Sequence, residues 1–66
     1  MLKKTRYGAI NTDYIRKITY QGRPDGMYRI VAFTKYAHST VEESVDIADN
    51  FPSLEVASQW LDDWLK

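Results

Sequence analysis

Residues 51–66, FPSLEVASQWLDDWLK, decide the fold. At about 100° per residue, Leu54, Ala57, Trp60, Leu61, Trp64 and Leu65 fall within an arc of roughly 140°, while Glu55, Gln59, Asp62 and Asp63 lie outside it. The stretch is therefore an amphipathic helix that carries both tryptophans of the chain, and its apolar side has to be laid on another element. Ser53 can accept a hydrogen bond from a free first-turn N–H, Pro52 discourages an earlier helical start, and Glu55 suits the positive end of the helix dipole. At the other end Asp62 and Asp63 sit where the dipole disfavours anions, and Asp62 can pair with Lys66 four residues on. Trp60 and Trp64, one turn apart, read as core, because a domain this small needs the area that two buried indoles supply.

Working back from the helix, the chain reads as strands separated by turns. Residues 5–10 suggest a first strand in which Gly8 marks a bulge or a close backbone approach. Asn11, Thr12 and Asp13 supply the chemistry of a tight hairpin. A second strand follows over 14–21, where Ile15 and Ile18 fall on opposite faces, so that alternation leaves the inside undefined and Ile18 is the better core candidate. Gly22-Arg23-Pro24-Asp25-Gly26 is the clearest turn, since Pro presets φ and Gly supplies a positive φ, and Arg23 is expected to be exposed in it.

Residues 27–36 are rich in β-branched and aromatic side chains and read as the central strand. Met27, Arg29, Val31, Phe33 and Lys35 lie on one face and Tyr28, Ile30, Ala32, Thr34 and Tyr36 on the other, so both faces are partly apolar and one helix can cover only one of them. Residues 37–40 connect. After them Val41, Glu43, Val45 and Ile47 alternate as a strand does, although Ser39-Thr40-Val41-Glu42 also fits a capping box and Val41, Val45 and Ala48 a helical stripe. The β-branched residues favour the strand. The expected architecture is an α+β single domain over residues 1–66, an antiparallel meander of about four strands packed on one C-terminal amphipathic helix, β-β-β-β-α.

With 66 residues the chain buries only about 60% of the surface it exposes when unfolded, so its stability is expected to be modest. It contains no cysteine, which removes disulfides and thiolate metal sites and suggests a cytoplasmic setting. Met1 to Arg6 carry positive charge with no apolar run behind them, reading as neither signal peptide nor membrane span, and the chain is expected to be soluble and complete. The net charge is zero but unevenly spread: residues 1–36 hold eight Lys/Arg and two Asp, and residues 37–66 hold seven Asp/Glu and Lys66, giving +6 and −6. Either one basic surface opposes an acidic back, or the two halves mingle in the fold and neutralise each other.

Catalytic chemistry has few donors to draw on. His38 beside Ser39 is a loop neighbour and not a dyad, because adjacency in sequence does not aim an imidazole nitrogen at a hydroxyl. Glu42, Glu43, Asp46 and Asp49 lack the calcium-loop pattern, and Gly22 and Gly26 bracket a hairpin turn instead of opening a helix as a phosphate cradle does. The chain is thus expected to be no enzyme and to take no cofactor, metal or small-molecule substrate.

Two binding readings remain. Apolar residues on both faces of 27–36 suggest a protein-interaction or regulatory module, with a homodimer through sheet faces or edges as the economical form. The alternative is single-stranded nucleic-acid binding through tyrosines interleaved with cations, since bases stack on aromatic faces while Arg and Lys hold phosphates. For either partner the candidate residues are Tyr14, Arg16, Tyr20, Tyr28, Arg29, Lys35 and Tyr36. In element order and composition, and in no residue motif, the chain resembles the single-stranded DNA-binding domains of a transcriptional coactivator family, which implies the second reading.

Overall fold

The computed structural model describes residues 1–36, 38 and 40–66. Its elements are β1 (Leu2–Thr5), β2 (Gly8–Asn11), β3 (Ile15–Gly22), β4 (Tyr28–Thr34), β5 (Glu43–Phe51) and α1 (Leu54–Trp64). All strand pairings are antiparallel, in a two-stranded sheet β1-β2 and a three-stranded meander β3-β4-β5. The α+β class and the C-terminal helix agree with the sequence, and the segment from Glu43 takes the strand form over the helical one. Ala37 and Ser39 of the expected connector, and with Ser39 part of the capping-box alternative, lie outside the described residues.

The N-terminal part departs from expectation. In place of one strand over 5–10 there is a tight hairpin, in which Thr5 pairs with Gly8 across Arg6 and Tyr7. Gly8 takes the positive φ, +148°, that Arg6 and Tyr7 avoid, so glycine is needed here to reverse the chain and not to form a bulge. Asn11, Thr12 and Asp13 do not close a hairpin either. They form a 3-10 turn (Thr12–Tyr14), held by the Asp13 N–H donating to Asn11 Oδ1 at 3.0 Å, at which the chain leaves one sheet for the other.

Bulges then set which side chains face inward. In β3, Ile15 opposes Thr34 and Lys17 opposes Phe33, so Arg16 is the extra residue. That insertion brings Ile15 and Ile18, which strict alternation separates, to the same core. In β5, Asp46 opposes Val31 and Ala48 opposes Ile30, which leaves Ile47 extra and lets Ile47 and Ala48 both be buried completely. A second irregularity precedes Phe51, where Asn50 adopts φ 65°, a left-handed value that asparagine tolerates.

The core comprises Ile30, Ala32, Ile47, Ala48 and Phe51 of the three-stranded sheet, Ile10 of β2, and Ala57 and Leu61 of α1. Helix and hairpin therefore share the task of covering one sheet face. Fully burying a side chain such as Ile30 or Ile47 stabilises by about 1.5–3 kcal/mol. Ser53 caps α1 as expected, its Oγ accepting from the Val56 N–H at 3.3 Å. Lys66 lies 3.4 Å from Asp63, and not on Asp62 as the i+4 spacing suggested. The tryptophans are half-buried at the rim of the core, stacked with ring centroids 6.2 Å apart, and Trp64 Nε1 donates to the Lys4 carbonyl at 2.6 Å. That bond ties β1 to the end of the helix.

Arg23 is a further correction. Its side chain is only 23% exposed, with Nη2 at 2.7 Å from Asp25 and Nη1 at 2.9 Å from Asp49, because the loop folds back against β5. Arg6 Nη1 donates to the Asp49 carbonyl at 2.6 Å while its guanidinium lies 4.7 Å from the Phe51 ring. Arg29 Nη1 is 3.8 Å from Asp46. Basic and acidic halves thus meet across β5, although Glu55, Asp62 and Asp63 stay exposed on the helix.

Candidate interaction site

The three-stranded sheet has two edges, and they are treated differently. Along β5 the hairpin turn docks on the edge, the Arg6 N–H donating to the Ile47 carbonyl at 3.0 Å. Along β3, from Ile15 to Gly22, no strand pairs with the outer edge among the described residues. An unpaired edge presents a row of N–H and C=O groups able to accept another strand.

The helix leaves this edge uncovered. Its contacts concentrate on β4 and β5, so the core-facing side of β3 is roofed only in part. Two depressions lie on that flank. One, of about 460 Å³, runs between Tyr20 and the helix side formed by Leu54, Ser58 and Asp62, residues four apart that make one ridge of α1. The other, of about 350 Å³, lies between Ile15 and Ile18 on one side and Trp64 and Leu65 on the other, with Met1 and Lys3 at its end. On this flank Tyr20 is 40%, Leu54 48% and Leu65 57% exposed. Leu54 and Leu65 belong to the apolar arc of the helix, and they stay exposed because α1 lies over β4 and β5 and roofs β3 only in part.

The opposite sheet face, expected to be a bare apolar surface, is covered by its own polar side chains. Val31 is 2% exposed and is flanked across the ladder by Thr19 and Asp46. Lys17 Nζ lies 4.7 Å from the Phe33 ring centre, and Arg29 reaches toward Asp46. Among the described residues no large exposed hydrophobic side chain belongs to this face. Long cationic side chains lay their aliphatic stems along such surface while their charges stay wet.

The seven candidate residues are dispersed. Tyr14 and Tyr36 pack together at the end of the sheet, ring centroids 4.7 Å apart and Tyr36 52% exposed. Arg16 stands exposed at the β3 bulge and Lys35 is exposed beyond β4, its N–H donating to the Tyr14 carbonyl at 3.0 Å. Tyr28 is half-buried against the core, and Arg29 lies on the far face. Only Tyr20 lines the β3 flank. Ile15, Ile18, Leu54, Trp64 and Leu65 are not in that set, since the sequence offers Ile18 and Trp64 as core and Leu54 and Leu65 as part of the apolar arc; the one signal for a site is that the helix offers a wider apolar arc than two neighbouring strands need.

Charge on the site is arranged by position. Lys3 stands at the Trp64 end, its Nζ 5.1 Å from the indole centre, and Glu55 stands beside Leu54 at the Tyr20 end. Outside the site, Asp49 is held below the ordinary carboxylate range, first by the Asn50 N–H and then by Arg23, and Arg23 is raised in turn by its bond to Asp49. His38 is an exposed turn residue, and no three His, Asp or Glu side chains converge among the described residues. No described helix is long and apolar enough to cross a membrane.

No family model, curated protein or solved structure matches this chain. The outline likeness in element order therefore assigns no family.

Proposed function

We propose that this chain is a non-enzymatic protein-interaction module that captures an extended polypeptide strand along β3. The observation that carries this reading is the coincidence of an unpaired strand edge with an apolar flank, where Tyr20, Leu54 and Leu65 are exposed beside the half-buried Ile15, Ile18 and Trp64. An added strand hydrogen-bonds to the edge through its main chain, and its alternate side chains fall into the depressions under the helix. The first interaction supplies affinity for any extended segment. The second selects apolar side chains two residues apart.

Selection of displayed random peptides against the full chain tests this. The peptides recovered are expected to alternate apolar and polar residues, and to lose binding about tenfold or more with Tyr20→Lys or Leu65→Lys. Val56→Lys, on the helix flank away from β3 and also exposed, leaves binding unchanged. Peptides insensitive to Tyr20→Lys and Leu65→Lys, or no enrichment at all, contradict the reading.

A further inference from the structure

Resting on that reading, we infer that the strand captured along β3 is β3 of a second copy of this chain, joined about a two-fold axis that passes beside Thr19. The regular part of β3, between the Arg16 bulge and the turn after Gly22, is centred on Thr19. In an antiparallel pair a two-fold axis perpendicular to the sheet keeps both helices on one side only in registers that place residues of the same face opposite each other. The register that uses all of this regular part sets Thr19 against the second copy's Thr19, Ile18 against its Tyr20, and Lys17 against its Gln21.

Each of these pairs is compatible. Apolar Ile18 meets aromatic Tyr20, threonine meets threonine, and the one cation of the run meets a neutral amide. The two Lys17 residues lie about 14 Å apart along the strands at 3.4 Å per residue, beyond the roughly 8–10 Å over which salt leaves exposed charges in contact. The flanks match as well. Because the strands run in opposite directions, the Tyr20–Leu54 end of one groove lies beside the Ile18–Leu65 end of the other, and the two become one apolar trough shared beneath the pair of helices. The same reversal brings Glu55 of each copy toward the second copy's Lys3, so the charges at the groove ends are complementary. Such an isologous contact satisfies both β3 edges together and leaves no free end to propagate.

The absence of native cysteine makes the register directly measurable. Thr19→Cys places two thiols opposite each other at a Cα separation of about 4.5–5.5 Å, within the range a disulfide spans. On mild oxidation it is expected to form a covalent dimer at least about ten times faster than Lys17→Cys or Gln21→Cys alone, as raised effective concentration requires. A mixture of Lys17→Cys and Gln21→Cys forms the heterodimer. The unmodified chain sediments as two chains at high concentration and as one on dilution. A single-chain mass at every concentration, or Thr19→Cys oxidising no faster than the other two, overturns the second copy as occupant. Peptide binding sensitive to Tyr20→Lys then leaves the β3 site standing for another partner, and its absence removes both.

Discussion

Arg23 Nη1 lies 2.9 Å from Asp49 Oδ1, joining the loop between β3 and β4 to the irregular part of β5. The same nitrogen donates to Asn50 Oδ1 at 2.6 Å, and Asp49 Oδ1 also accepts from the Asn50 N–H at 2.7 Å. One guanidinium thus fixes the conformation of the only described non-glycine residue with positive φ. The bend it holds lies within the last part of β5, just before Phe51.

This arrangement makes stability pH-dependent at the acid end. The folded state holds Asp49 below its unfolded value, so the stabilisation is fully present above about pH 4 and is lost as pH falls through the folded value. Asp49→Asn is expected to lower thermal stability near neutrality and to flatten the acid limb of a plot of melting temperature against pH. A variant whose acid limb keeps the unmodified slope contradicts the assignment.

The left-handed residue separates backbone from side-chain effects. Asn50→Gly keeps the φ of 65° accessible while removing the acceptor for Arg23. Asn50→Ala removes the acceptor and also strains the backbone, and it should be less stable than Asn50→Gly by about 1 kcal/mol. Chemical denaturation of the two variants side by side gives the difference.

Core and flank should respond in opposite ways. Ile30 is fully buried at the centre of the cluster, and Ile30→Ala is expected to cost about 2–5 kcal/mol through a cavity that the sheet cannot close. Tyr20→Lys and Leu65→Lys, at exposed positions, should stay within about 0.5 kcal/mol in dilute protein. Equal losses at all three sites would mean that the flank is part of the core.

The start of α1 depends on one hydroxyl. Ser53→Ala leaves the Val56 N–H without its acceptor and should destabilise by about 0.5–2 kcal/mol, with Ser53→Asp restoring most of the loss. Urea midpoints of the three proteins measure this.

The helix was legible because its signals are local: Ser53, Pro52 and the spacing of Leu54, Ala57, Trp60, Leu61 and Trp64 act within a few residues. The central strand and the turn at Gly22–Gly26 were legible for the same reason. The bulges at Arg16 and Ile47 were not, since an extra residue is defined only against a partner strand, and without them Ile15 and Ala48 point the wrong way. Arg23 reads as exposed in the sequence because its partner Asp49 stands 26 positions further on. The site is not legible in the sequence because it is made by what the helix fails to cover, which depends on where the hairpin and α1 come to rest on the sheet.

Amide hydrogen exchange along β3 reads strand capture at the edge itself. In dilute protein the β3 amides that point away from β4 should exchange rapidly, while their neighbours bonded to β4 are protected. Raising the protein concentration, or adding a selected peptide, should slow those outward amides between Lys17 and Gly22 and leave the rest of the sheet as it was. Outward β3 amides that exchange at the same rate at every concentration and with peptide present would contradict strand capture along this edge.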